Sequence, residues 1–155
     1  AVPAVMMIAE MAAWYFERGM TLADAMDSLY EKYGWFAERT VNLVMPGLDG
    51  LEKMKNLMDT LRSTPPETIA GTTVLRLKDY STGVILVPEL GQVDNTDISG
   101  SNVLYFDMAD GCSVIVRPSG TEPKIKVYIL ARGEDRESCG EKVEKYAAWT
   151  RELGK

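Results

Sequence analysis

Residues 116–127 read Val-Arg-Pro-Ser-Gly-Thr-Glu-Pro-Lys-Ile-Lys-Val and gather the side chains with the most evident chemistry. Between Gly111 and Arg132 stand four cations, Arg117, Lys124, Lys126 and Arg132, against one anion, Glu122. Arg117 offers a planar fork of donors that suits a pair of phosphate oxygens. Ser119 and Thr121 each offer a hydroxyl. Gly120 lets the backbone approach a ligand closely and can take φ > 0, so that successive N–H groups could converge on an anion. Pro118 and Pro123 restrict the turn, and Lys124 adds a point charge at the start of the next strand. Together these residues suit one phosphate dianion. Ser, Gly, Thr and Pro also build ordinary turns, so both readings stand at this level. The segment is not a Walker A loop, because G-x-x-x-x-G-K-[ST] is absent.

The basic turn sits in an acidic chain. There are 17 Lys+Arg against 23 Asp+Glu in 155 residues, a formal net charge of -6. That balance argues against broad binding to nucleic acid or to a membrane surface, both of which need an extended basic face. The chain has no histidine, which removes the commonest general base and metal ligand. Its two cysteines, Cys112 and Cys139, form neither a CxxC nor a disulfide framework, so a cytoplasmic setting is expected.

The elements that must hold the turn follow from periodicity. Residues 1–16 are apolar almost all round, with Glu10 the only charge. This run is too short and interrupted for a membrane span and lacks the basic start of a signal peptide. A helix of this kind is normally buried on every side. In a chain that begins inside a larger protein it would have lost part of its packing partner and could drive self-association through residues 1–16. Leu22, Ala25, Met26, Leu29, Tyr30 and Tyr33 share one helical face, with Thr21 and Asp24 as a capping box and Gly34 as the stop.

Residues 35–47 suit a strand. Leu48, Leu51, Met54, Met58 and Leu61 return to helical spacing before Pro65-Pro66. In residues 72–80, alternation places Leu75 and Leu77 on one face and Arg76 and Lys78 on the other. Residues 81–101 read as a long surface loop. Ala109-Asp110-Gly111 between two alternating runs signals a hairpin. Residues 124–132 form a strand with Ile125, Val127 and Ile129 facing one way. The last helix, capped by Asp135, lines up Cys139, Val143, Tyr146, Ala147 and Thr150. The expected fold is α+β: a mainly antiparallel sheet with two helices on one face, preceded by a helical pair.

The stretch "RPSGTEPKIKVY" resembles the C-terminal signature of the α-D-phosphohexomutases, the phosphoglucomutases and phosphomannomutases. "IAEMAA", "LYEKYG", "GLDGLEK", "KDY" and "SNVLYFDMADG" resemble further stretches of those enzymes, in the same order. The resemblance implies that residues 1–33 are the helical tail of a third domain. Residues 34–155 would then be the fourth, phosphate-binding domain, whose fold is TATA-binding-protein-like. It further implies that Arg117, Ser119, Gly120 (through its backbone) and Thr121 grip the phosphate that is not being transferred, with Lys124 as a nearby charge. The implied ligands are a hexose phosphate or hexose bisphosphate, and the implied partners are the remaining mutase domains.

The family's phosphoserine loop, its D-G-D-G-D-R magnesium loop and its sugar-discriminating loop have no counterpart in this sequence. No catalytic residue and no metal ligand is therefore expected here, magnesium belonging to the full-length enzyme, and the chain should be inactive alone. A free-standing module for anions or sugar phosphates, or a structural interaction domain without catalysis, is the alternative.

Overall fold

The computed structural model describes residues 2–88 and 90–154. The chain forms two compact units, one ending at Trp35 and the other starting at Phe36. The first unit holds α1 (Val2–Phe16) and α2 (Leu22–Tyr33). The Thr21 and Asp24 side chains cap α2 reciprocally, and Gly34 closes it with its N–H donating to the Tyr30 carbonyl. The Tyr30 and Trp35 rings then stack with centroids 4.7 Å apart. Despite its apolar sequence, α1 has no buried residue, and in α2 only Ala25 is buried. The expectation of a core helix at 1–16 is thus not met within this chain.

The second unit contains β1 (Trp35–Val44) from its second residue on, α3 (Gly50–Ser63), β2 (Thr68–Ile69), β3 (Thr72–Asp79), β4 (Val84–Val87), β5 (Gly91–Asn95), β6 (Leu104–Met108), β7 (Ser113–Pro118), β8 (Lys124–Gly133) and α4 (Arg136–Leu153). The strands form one sheet in the order β1-β8-β7-β6-β3-β4-β5, with β2 paired to β3. The ladders from β8 through β5 are antiparallel. Together with α3 and α4 on one face, this is the α+β architecture expected. No helix among the described residues is long and apolar enough to cross a membrane.

Strand alternation sets the core. Val114, Val116, Ile125, Val127 and Ile129 are each 0% exposed. They pack with Leu104 and Phe106 of β6, Met58 and Leu61 of α3, and Val143, Tyr146 and Ala147 of α4. Two sequence expectations fail here for physical reasons. The β3–β6 register shifts between Val74 and Arg76, a bulge at Leu75. One extra residue breaks strict alternation, so Val74 and Leu77 are buried while Leu75 is exposed. Leu48 and Leu51, expected on the α3 core face, are also exposed. They lie in and just after the turn that enters α3, before its axis comes over the sheet.

Residues 81–101 are not one loop, because β4 and β5 form an antiparallel hairpin within them. Every residue of β5 is exposed, so this edge strand has no apolar face from which alternation could be read.

Two polar clusters pin the helices. Asp79, almost fully buried, accepts from Arg62 Nε (3.0 Å), Ser81 N (3.0 Å) and Thr82 Oγ1 (2.9 Å). Arg62 also donates to Asn102 Oδ1, which ties α3 to both ends of the β4–β5 excursion. At the β6–β7 turn, Gly111 supplies a left-handed φ of 77°. The Tyr146 hydroxyl donates to the Asp110 carboxylate at 3.0 Å, and Cys112 N donates to Asp110 Oδ1. Lys142 Nζ donates to the Asp110 and Arg132 carbonyls. Together these contacts make α4 a clamp on that end of the sheet.

Burial pushes the Cys112 thiol up to about 11. Burial, reinforced by Asp110, drives the Tyr146 phenol well above the ordinary tyrosine range. Both groups are favoured neutral in the fold. Their contribution is complete below the unfolded values, about 8.5 for Cys and 10 for Tyr, and is lost as pH rises toward the folded ones. The urea midpoint should therefore fall steadily from pH 8 to pH 11. Tyr146→Phe should cost about 1.5–3 kcal/mol at pH 7, as expected for a hydrogen bond to a charged group, and should make the alkaline fall shallower. A midpoint independent of pH in this range would refute the assignment.

Candidate phosphate-binding loop

The segment between β7 and β8 begins where their ladder ends, at the pair Pro118–Ile125. Ser119 N donates to the Lys124 carbonyl (2.9 Å) and Lys124 N to the Glu122 carbonyl (2.7 Å), which closes the turn. Inside it, Thr121 N donates to Ser119 Oγ at 3.4 Å. Among the described residues the Gly120 N–H has no hydrogen-bond partner. A Cβ built at Gly120 would meet nothing within 4 Å. Gly120 is absent from the positive-φ residues, so the left-handed turn that its sequence allowed is not used. The glycine instead leaves open space in front of a free backbone donor.

Of the five residues singled out from sequence, Arg117, Ser119, Gly120 and Thr121 fall within or beside this turn. Arg117, Gly120 and Thr121 are exposed and Ser119 is half-buried. Lys124 differs, because its ammonium is ion-paired with Glu122. That hydrogen bond, with the Lys124 charge, holds the Glu122 carboxyl below the usual carboxylate range. Sequence reading passed over Lys126 as a site residue. It pairs directly with Arg117 across β7–β8, a neighbour relation that only strand register supplies.

The loop rests on the turn that enters α3. Met45 N donates to the Pro123 carbonyl at 2.9 Å. Gly50, buried at the first position of α3, has no room for a side chain: a Cβ would lie 2.1 Å from the Met45 carbonyl oxygen and 3.0 Å from Pro123 Cβ. The sequence carries this as "GLDG", where Gly50 passes for a helix start, and the close approach is visible only in the fold.

Among the described residues no group of three or more His, Cys, Asp or Glu is arranged to hold a metal ion.

The basic hairpin loop stands at the end of a helix-backed antiparallel sheet, in a domain of the α+β class. Residues 71–144 match the family model described as "Phosphoglucomutase/phosphomannomutase, C-terminal domain". The chain is 31% identical over 125 residues to the phosphoglucomutase of Staphylococcus aureus (strain MRSA252), covering 81% of this chain and 22% of that protein. It is 30% identical over 128 residues to the phosphoglucomutase of Staphylococcus haemolyticus, covering 83% and 23%. A solved structure from Paramecium, the open form of the exocytosis-sensitive phosphoprotein pp63/parafusin, a phosphoglucomutase, aligns with a TM-score of 0.49 at 14% identity. That alignment covers 86% of this chain and 23% of that one.

The chain belongs to the phosphoglucomutase/phosphomannomutase family and carries its C-terminal domain. It spans only 22% of the length of the first of these relatives.

Gly50→Ala should destabilise the second unit by about 1–3 kcal/mol, the usual range for forcing an extra methyl into a packed site. It should also shift the amide resonances of residues 119–124. Gly120→Ala, with open space in front of it, should change stability by less than about 0.5 kcal/mol. Thermal unfolding of the two variants checks the contrast, and equal losses would mean that the 45–50 turn does not brace the loop.

Proposed function

We propose that this chain serves as the substrate-phosphate-binding domain of a phosphohexomutase that interconverts hexose 1-phosphate and hexose 6-phosphate. The observation that carries this reading is the opening at Gly120. A backbone donor without a partner faces open space at Gly120, and the same short exposed segment carries two hydroxyls and an exposed arginine. Arg117 would hold two phosphate oxygens, with Ser119, Thr121 and the Gly120 N–H completing the grip. Lys124, already engaged by Glu122, would contribute mainly by shaping the loop.

In the parent enzyme a phosphoserine outside this chain would donate its phosphoryl group to a hexose phosphate. The resulting bisphosphate would turn over and return its other phosphoryl group to the serine. The present loop would hold whichever phosphate is not in transfer, so that one site serves both half-reactions. Its contribution is positioning and charge stabilisation, on which phosphoryl transfer depends. Magnesium would be supplied with ligands by other parts of the enzyme. On this reading, residues 1–33 end the preceding third domain, residues 34–155 form the fourth, and the setting is cytoplasmic. Cys112 and Cys139 are both buried and form no disulfide, which accords with that setting. The chain alone would not catalyse.

The exposed Val2, Val5, Met6, Met7, Ile8, Met11 and Phe16 of α1 support a helix made to pack against the rest of such a domain. The isolated chain should therefore self-associate through residues 1–16, with a mass above monomer by light scattering at high concentration. A monodisperse monomer would count against it.

Amide-shift titration with glucose 1,6-bisphosphate tests the site, with sulfate at matched ionic strength as control. Shifts should concentrate at residues 117–124 and be larger for the sugar bisphosphate. In the full-length parent, Arg117→Ala should raise KM through loss of a charge-assisted contact, about 1.5–3 kcal/mol. Unchanged KM and kcat in that variant would take the loop out of the site.

A further inference from the structure

On the face of the sheet away from the helices, one cross-strand row runs Asp94, Ile85, Lys78, Tyr105. Leu77 and Asp79, on either side of Lys78 in β3, are buried, Asp79 against Arg62 of α3. The row therefore points outward, and Tyr80 follows on the same face. Here lies a cavity of about 560 Å³ lined by Lys78, Tyr80, Ile85, Asp94, Asn95 and Asp97. Its size falls in the range of small-molecule sites, roughly 300–1,000 Å³. Leu104 pairs with both Asp79 and Val116, so the cavity and the 117–124 turn stand at the same end of the sheet, but they share no residue. One wall of the cavity is fixed by backbone. Thr96 N donates to the Gly83 carbonyl at 2.8 Å, Ser101 N to the Tyr80 carbonyl at 3.0 Å and Tyr80 N to the Val103 carbonyl at 3.0 Å. A Cβ at Gly83 would lie 3.2 Å from Ser99 Cβ, so the 96–99 segment is seated directly on the β3–β4 turn.

The lining mixes both signs of charge. Lys78 Nζ shares Asp107 Oδ2 with Arg76 Nε, each at 3.0 Å, so one carboxylate serves two cations. Asp94 Oδ1 accepts from Asn95 N, and among the described residues Asp97 has no hydrogen-bond or ion-pair partner. Carboxylates only accept, an ammonium only donates and the Asn95 amide does both. An anion would meet two carboxylates here, and an amine would meet the under-compensated Lys78. Among the described residues no group of three or more His, Cys, Asp or Glu is arranged to hold a metal ion. An apolar ligand would leave these polar groups without partners. A neutral ligand whose hydroxyls both donate and accept satisfies all of them, and the C–H faces of a sugar ring suit Ile85 and Tyr80. We propose that this cavity is a second ligand site, for a neutral saccharide. It does not depend on the phosphate-binding reading of the 117–124 turn.

The test is amide-shift titration of the whole chain with D-glucose and with maltotriose, with spermidine and inorganic phosphate as charged controls at constant ionic strength. Both saccharides should shift residues 78–85 and 94–98 and leave residues 117–124 in place. An equal response to the two supports a site for a single ring, and a stronger response to maltotriose supports a site for the end of a glucan chain. Asp97→Ala should weaken saccharide binding about tenfold, as for one lost hydrogen bond to a charged group. Asp97 is exposed and bonds nothing within the chain, so this variant should fold as the wild type does. Asp97→Asn, which keeps an acceptor, should lose less. The proposal is overturned if neither saccharide shifts the cavity amides at tens of millimolar. It also falls if Asp97→Ala binds as the wild type does, or if spermidine moves the same amides more strongly than either sugar. Phosphate-induced shifts at residues 117–124 report on the other site, whose failure would leave this one standing.

Discussion

The structure depends on the two-residue period of β7 and β8. Five side chains on their inner face are 0% exposed. Each buried side chain of that size is worth about 1.5–3 kcal/mol, so the pair cannot slip. A shift of one residue would turn Arg117, Lys124 and Lys126 into the core and the valines and isoleucines into water. The outward display of cations around residues 117–126 is therefore a consequence of the core. Two like charges can be held opposite each other because the apolar face on the other side of the strands fixes the register.

Both ends of this ribbon are anchored, by different means. At the β6–β7 turn, α4 reaches down with Tyr146 and Lys142 to Asp110 and to two carbonyls. At the loop end, the anchor is backbone: Met45 N on the Pro123 carbonyl, with Gly50 letting α3 start in contact with Pro123. Between these anchors the tip itself makes few internal bonds. Its free Gly120 amide stands on a base anchored at both ends, and on the proposed phosphate-binding reading that lowers the entropic cost of binding a ligand. The Asp79–Arg62 cluster does for α3 what Asp110 does for α4. In each case a carboxylate with several donors, buried at Asp79 and half-buried at Asp110, sets where a helix sits on the sheet.

Family membership and loop geometry answer different questions. The family relation says which kind of enzyme contains such a domain, although this chain spans only 22% of the length of the relative it was aligned with. The geometry says what the domain offers: an exposed arginine, a free glycine amide and an unfilled space. It also reassigns the charge around the turn. Lys124, the cation nearest the turn in sequence, is internally neutralised by Glu122. Lys126, two residues further, is the one left facing Arg117.

Much was legible from the residues alone, wherever a local physical rule applied. All five residues expected on the inner face of α4 are buried, because a long amphipathic helix on a sheet has one apolar stripe to hide. The Asp-Gly hairpin, the Thr21–Asp24 capping box, the Asp135 cap and the basic turn were legible for the same reason, since each is decided by neighbours within a few positions. What was missed depends on distant chain. The bulge at Leu75 arises from pairing with β6. The hairpin at 69–72 uses Ala70 at φ 50°, a conformation that alanine does not advertise. β5 has no buried face to leave a pattern. Gly50 is required by Met45 and Pro123, and Lys126 matters through Arg117. The sequence by itself determined the periodicities, the caps and the chemistry available in the turn, because these follow from each residue and its near neighbours. Tertiary structure alone decided register, close backbone approach and which charges remain uncompensated, because those are set by which distant segments meet.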